Sequence, residues 1–148
     1  MDAAASAGLE PVIGLWLATK EIDRLAARIA DTPGARLESL SHYATEPAAE
    51  KLSGVHPAAA AKLYRALGVS LVDQGKSQYY EAALAHLSDA RRCYEKAGQG
   101  AVWKKVAAGL ERRHRRKSSF IDGFRRLVGG KPPAEALSFL ERARRRRG

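Results

Sequence analysis

The stretch that decides the fold runs from His56 to Gly98: HPAAAAKLYRALGVSLVDQGKSQYYEAALAHLSDARRCYEKAG. His56-Pro57 predicts a helix entry, because proline suits a first helical turn, where the missing N–H forfeits no bond. Ala60, Leu63, Tyr64, Leu67 and Leu71 then recur at helical spacing until Gly75. A second helix carries Tyr79, Tyr80, Ala83, Leu84, Leu87, Ala90 and Tyr94 and ends near Ala97-Gly98. Helices of this size cannot bury their apolar stripes alone, so the pair is expected to fold back on itself and stack on its neighbours.

The same periodicity extends outward in both directions. Downstream, Val102, Trp103, Val106 and Leu110 mark a third helix whose later turns are basic. Ser119 and Asp122 have the form of a capping box, opening a short helix with Phe120, Phe124, Leu127 and Val128 on one side. Gly129-Gly130-Lys131-Pro132-Pro133 breaks the chain, and a last helix with Leu137 and Leu140 runs into arginines. Upstream, Glu10-Pro11 opens a stretch with Val12, Leu15 and Trp16, Pro11 suiting its first turn. Thr19 is placed to cap a helix carrying Ile22, Leu25 and Ile29, which Thr32-Pro33-Gly34 should end. Leu37 and Leu40 suggest one or two further turns, and Glu46-Pro47 restarts the chain into Ala48 and Leu52. Strand signals are nearly absent, and about seven or eight helices joined by short loops define an all-α protein.

Leu67-Gly68, Leu71 and Gly75 in one helix, with Ala83, Leu87 and Ala90 in the next, resemble the tetratricopeptide repeat. The small residues permit close helix approach and the large ones fill the adjoining holes. Eight steps separate Gly75 from Ala83, about three more than that repeat allows, and no second copy appears at a fixed period. The expected architecture is therefore a degenerate tetratricopeptide-like array of antiparallel hairpins over residues 1–130, followed by a basic C-terminal helix or tail over 131–148.

The Leu63-Tyr64-Arg65-Ala66-Leu67 string, Lys76-Ser77 before Tyr79-Tyr80, Ala90-Arg91-Arg92-Cys93-Tyr94, and His114-Arg115-Arg116-Lys117 before Phe120 carry a narrower likeness. Over roughly residues 55–128 the chain resembles the helical C-terminal region of bacterial proteins that bear a SWIM-type zinc finger elsewhere. The resemblance implies a helical interaction domain associated with nucleic-acid transactions, with a zinc-finger or helicase protein as its partner. It transfers no zinc site, since that finger needs three Cys and a His and this chain has only Cys93.

The 148 residues suit one domain with a modest core, and 45% apolar with 28% charged residues is ordinary globular composition. One cysteine makes no internal disulfide. The opening Met1-Asp2-Ala3 lacks a basic and then apolar leader, and no apolar run reaches membrane-span length, so a reducing, cytoplasmic setting without membrane contact is expected. The net charge of +10 is uneven: residues 1–74 hold 7 basic and 9 acidic residues, residues 75–148 hold 19 and 7. The excess lies in Arg112-Arg113-His114-Arg115-Arg116-Lys117 and in Arg142–Arg147. Such runs repel themselves unless an anionic partner or salt screens them, although Arg in a last turn also complements a helix dipole.

No catalytic constellation is present. His42, His56, His86 and His114 form no HExxH, and neither a Gly-x-Ser-x-Gly nor a phosphate-binding glycine loop occurs. His42 reads as a loop residue and His56 as a helix-entry residue. Glu111 and His114 have Glu-x-x-His spacing, but a carboxylate metal site needs a second copy, and the flanking arginines repel a cation. Cys93 reads as buried and inert, and Trp16 and Trp103 as core residues. The expectation is a non-enzymatic module with no cofactor and no metal.

Two binding surfaces remain. Adjacent Tyr79 and Tyr80 cannot both face one core, so one is expected to pack while the other joins Lys76 in a groove for a protein partner. Lys104, Lys105, Arg112, Arg113, Arg115, Arg116 and Lys117 are candidates for contact with DNA or RNA, with Lys105, Arg112 and Arg116 at offsets of seven and four forming one helical stripe. With no base-reading motif, such binding would be sequence-tolerant.

Overall fold

A computed structural model describes the backbone of residues 2–129 and the side chains of residues 8–128. The expected domain boundary at 130, the helix with Leu137 and Leu140, and the tract Arg142–Arg147 lie outside the described residues. Within them the chain forms eight α-helices: α1 (Asp2–Ala18), α2 (Ile22–Asp31), α3 (Gly34–Glu38), α4 (His42–Ser53), α5 (Pro57–Asp73), α6 (Tyr80–Lys96), α7 (Gly100–Arg113) and α8 (Ser118–Gly129). A 3-10 turn, Ser77–Tyr79, leads into α6. No strand occurs among the described residues, and no helix there is long and apolar enough to cross a membrane.

The central element is α5. Ala59, Ala60, Ala61, Leu63, Tyr64, Ala66, Leu67, Gly68, Val69 and Val72 are all buried, so its apolar surface extends nearly all round. It packs against α2, α3, α4 and, most extensively, α6. Gly68 is what lets α6 approach: a Cβ there would stand 2.7 Å from Leu87 Cγ and 3.1 Å from the Ala83 carbonyl. Lys62 reaches from α5 to the end of α2 and donates to the Ile29, Ala30 and Thr32 carbonyls at 3.0, 3.0 and 2.5 Å. They lie at the end of α2, where carbonyls lack i+4 partners, and the Ile29 carbonyl also accepts the Thr32 N–H at 3.1 Å.

The chain then turns through Gly98, at φ 74°, whose N–H bonds the Glu95 carbonyl while Gln99 bonds Tyr94. That paired closure ends α6 and launches α7. Trp103, Val106, Ala107 and Leu110 bury one face of α7. Phe120, Ile121 and Phe124 of α8 close over it, with the Phe124 and Trp103 ring centroids 6.2 Å apart in an edge-to-face pair.

Several sequence expectations are corrected. α1 begins well before Pro11, which lies inside it rather than in its first turn. Thr19 does not cap α2: it belongs to the closing turn of α1, where Lys20 bonds Leu17, Glu21 bonds Trp16, and Lys20 takes φ 62°. His42 is not in a loop, and Glu46-Pro47 does not restart the chain. Ser41 caps α4 by accepting the Tyr43 N–H at 3.2 Å, and Pro47 lies in the helix interior. α8 opens at Ser118, not at a Ser119 capping box, because the Lys117 carbonyl already takes the Ile121 N–H at 2.8 Å. Ile121, not Val128, joins its buried side. Trp16 is only partly buried, whereas Trp103 and Cys93 lie in the core and His56 stands at the entry to α5.

Candidate nucleic-acid interface

The buried face of α7 fixes what its other face presents. With Trp103, Val106, Ala107 and Leu110 inward, Lys104, Lys105, Ala108 and Arg112 face solvent. Lys105 and Arg112 are two turns apart, about 10 Å along the axis. The helix ends at Arg113, so Arg116 does not continue the expected stripe; Arg115 and Arg116 instead project from the turn between α7 and α8. Between residues 104 and 126 nine Lys and Arg stand against only Glu111 and Asp122.

Ion pairing divides these cations into two groups. Arg113 donates to Asp73 at 3.0 Å, tying α7 to the end of α5. Arg125 donates to Glu111 at 3.0 Å and ties α8 to α7. Arg91 and Arg92 of α6 pair with Glu95 and Asp89 at 3.1 and 2.6 Å, and Arg91 also donates to the Leu127 carbonyl. Lys117 turns inward to His114, 3.2 Å from Nδ1. Lys104, Lys105, Arg112, Arg115, Arg116 and Arg126 are all exposed and have no ion pair among the described residues. Glu111 and Asp73 are already engaged and Asp122 is the one acid of the stretch without an ion pair among the described residues, so the surface retains an excess of positive charge.

Beside the stripe runs a shallow groove of about 370 Å³, with Trp103, Ala107 and Val128 in its walls and Lys104 and Glu95 on its rim. Trp103 is spent on the core, 5% exposed, and Phe120 and Phe124 are fully buried. These rings therefore offer no stacking platform for bases. What the face presents is exposed positive charge without aromatic rings.

The other candidates fall elsewhere. Tyr80 packs against Phe120, ring edge to face at 5.8 Å, while half-buried Tyr79 carries Lys76 with Nζ 6.0 Å from its centroid. Glu111 and His114 do not converge: one pairs with Arg125, the other is buried toward Asp73. Among the described residues no three His, Cys, Asp or Glu side chains are arranged to hold a metal ion. His86 stacks on Tyr64 at 6.3 Å, and its burial lowers its pKa. Burial pushes Tyr64 up to about 12 and also raises the Cys93 thiol, which keeps that thiol protonated.

The buried residues around His114 escaped sequence reasoning. Its ring is 2% exposed, its Nε2 has no hydrogen-bond partner, and burial followed by the Lys117 charge lowers its pKa. Glu38 of α3 lies near Arg113, Asp73 and Arg65, and burial raises its carboxyl pKa. The one available signal was register: four residues beyond Leu110 and seven beyond Ala107 places His114 on the inner face of α7.

The described residues thus form an all-α arrangement in which six cations without an ion pair lie on α7, the following turn and α8. The chain belongs to the Family of unknown function (DUF6880), whose model matches residues 10–122. Neither a curated protein nor a solved structure matches it.

Proposed function

We propose that the protein is a non-enzymatic accessory that binds nucleic-acid backbone through α7, the following turn and α8. One observation carries this reading: six exposed cations on that surface have no ion pair among the described residues, although every other arginine of α6–α8 has one. The N–H groups at the start of α8 add partial positive charge beside Arg115 and Arg116. Binding is sequence-tolerant and depends on salt. The test is anisotropy titration with labelled single- and double-stranded DNA and RNA at about 50 and about 200 mM salt. With four to six phosphates neutralised, affinity falls by roughly 10² to 10³ over that interval. Changing Lys105, Arg112, Arg115 and Arg116 to Ser, with Arg113 kept for its bond to Asp73, removes most of the binding. Flat titrations on every probe, or an unaffected variant, refute the proposal.

A second reading has support from the α5–α6 pair, whose close approach at Gly68 and small Ala83 and Ala90 fit a tetratricopeptide-like hairpin. On that reading the chain is a helical-repeat module for a protein partner, and the SWIM-type resemblance makes a zinc-finger or helicase protein the natural one. Lys76 and Tyr79 remain its contact residues, while Tyr80 is committed to packing on Phe120.

A further inference from the structure

We propose that His114 is an acid-sensitive latch: while its ring is neutral it accepts from Lys117 and so holds the turn carrying Arg115 and Arg116 against the end of α7, and on taking a proton it releases that turn and the start of α8. The latch is independent of whether the surface binds nucleic acid.

The ring lies where α5, α7 and α8 meet. Lys117 Nζ stands 3.2 Å from Nδ1. An ammonium only donates, so Nδ1 accepts and the ring proton sits on Nε2. Nε2 faces Asp73 Oδ1 at 3.6 Å, too long for a hydrogen bond, while Asp73 Oδ2 already accepts from Arg113. The charged groups around the ring are therefore Asp73 from α5, Arg113 from α7 and Lys117 from the turn. Glu38 of α3 interacts with Arg113 and Asp73, and α8 contributes only the apolar Phe120 ring, 5.8 Å away.

The second proton goes to Nδ1, the atom that holds Lys117. Imidazolium and ammonium both donate, so the contact becomes repulsion at a ring that is itself buried. Asp73 attracts the new charge, but it is shared with Arg113, which adds a further cation. The Lys117 ammonium has to leave, and the turn loses the side-chain bond that anchors it, which leaves it held by two backbone bonds of Lys117. Its N–H bonds the His114 carbonyl at 2.9 Å, and its carbonyl takes the Ile121 N–H at 2.8 Å, the bond that begins α8. Burial, Lys117 and Arg113 all disfavour the charged ring, and only Asp73 opposes them.

The test is residue-resolved amide exchange on the full chain at about pH 7 and about pH 5.5, corrected for intrinsic rates, with the His114 ring followed by NMR. Protection of the α8 amides from Ile121 to Leu127 should fall, by up to about tenfold for each pH unit between the ordinary histidine value and the lowered one. His114→Gln, which cannot titrate, abolishes the fall, whereas His86→Gln leaves it intact. Lys117→Met raises the pH at which the His114 ring titrates and blunts the fall, which keeps the test decisive if the Gln variant does not fold. An equal loss of α8 protection in His114→Gln overturns the latch. So does a parent protein whose His114 takes its proton while α8 stays protected.

Discussion

Placing a methyl group at Gly68 tests the close approach of α5 and α6. In Gly68→Ala the new Cβ would meet Leu87 Cγ at 2.7 Å, Leu87 Cδ2 at 3.0 Å and the Ala83 carbonyl at 3.1 Å. Carbon atoms rest at about 3.5–4.0 Å, so α5 and α6 must separate locally by roughly 1 Å or Leu87 must leave its rotamer. Leu87 is fully buried, and the atom it presents is the branch carbon rather than a free tip. Overpacking of this kind costs about 1–3 kcal/mol. Against it stands the helix preference of Ala over Gly, about 0.8–1.0 kcal/mol. The difference is a net loss of up to about 2 kcal/mol, read as a lower urea midpoint at unchanged slope. Two variants separate the terms. Gly109→Ala, in α7 with nothing within 4 Å of the new Cβ, gains the preference alone and is stabilised by about 0.5–1 kcal/mol. In a Leu87→Ala background the same Gly68→Ala change loses its penalty, which a double-mutant cycle registers as coupling. If Gly68→Ala stabilises the parent as Gly109→Ala does, close approach of α5 and α6 is not what this glycine provides.

Two further outcomes follow from single contacts. Lys62→Met removes three charge-assisted bonds from the end of α2 while keeping most of the side-chain volume, and should cost on the order of 1–2 kcal/mol by denaturant titration; a change within error would mean that water replaces the ammonium without loss. His86 and His114 both have lowered pKa values, so the unfolded chain binds more protons than the folded one as the pH falls. Their contribution is complete above about pH 6.5 and is lost as the pH drops through the lowered values. Glu38, raised by burial, acts in the opposite sense, but nearer the carboxylate range. Urea midpoints at about pH 7.5, 6.5 and 5.5 should therefore decline, and a flat series contradicts the buried neutral rings.

The α5–α6 contact was legible because two signals agreed: apolar spacing gave the buried faces of α5 and α6, and Gly68 beside Leu67 marked where the helices could touch. Failures clustered where a residue had two available local roles. Thr19 looks like an N-cap, but α1 ends in a left-handed closure at Lys20, a position where glycine would have been the visible cue. Pro47 looked like a start because proline usually is one, while the true cap, Ser41, stood six residues earlier. The basic run was legible as charge and illegible as a surface. Which cations remain free depends on Asp73, 40 residues before Arg113 in the chain, and on His114, which draws Lys117 inward.

Helix electrostatics distinguishes a binding surface from a decorated helix end. Cations at the C-terminus of α7 complement its dipole, and Arg112 and Arg113 fall in that last turn. The same argument reverses one turn later. Arg115, Arg116 and Lys117 immediately precede Ser118, so they crowd the N-terminus of α8, where the helix already presents positive partial charge and favours anions. Lys117 escapes by turning toward His114. Arg115 and Arg116 have no such outlet among the described residues, and Arg126 stands unpaired farther along α8. Dipole complementarity thus accounts for two of the cations and is opposed by the ones that follow. A phosphate lying across the turn would be attracted by the N-terminus of α8 and by both arginines at once. This reversal makes the turn, more than the arginine-rich end of α7, the place where an anion gains most.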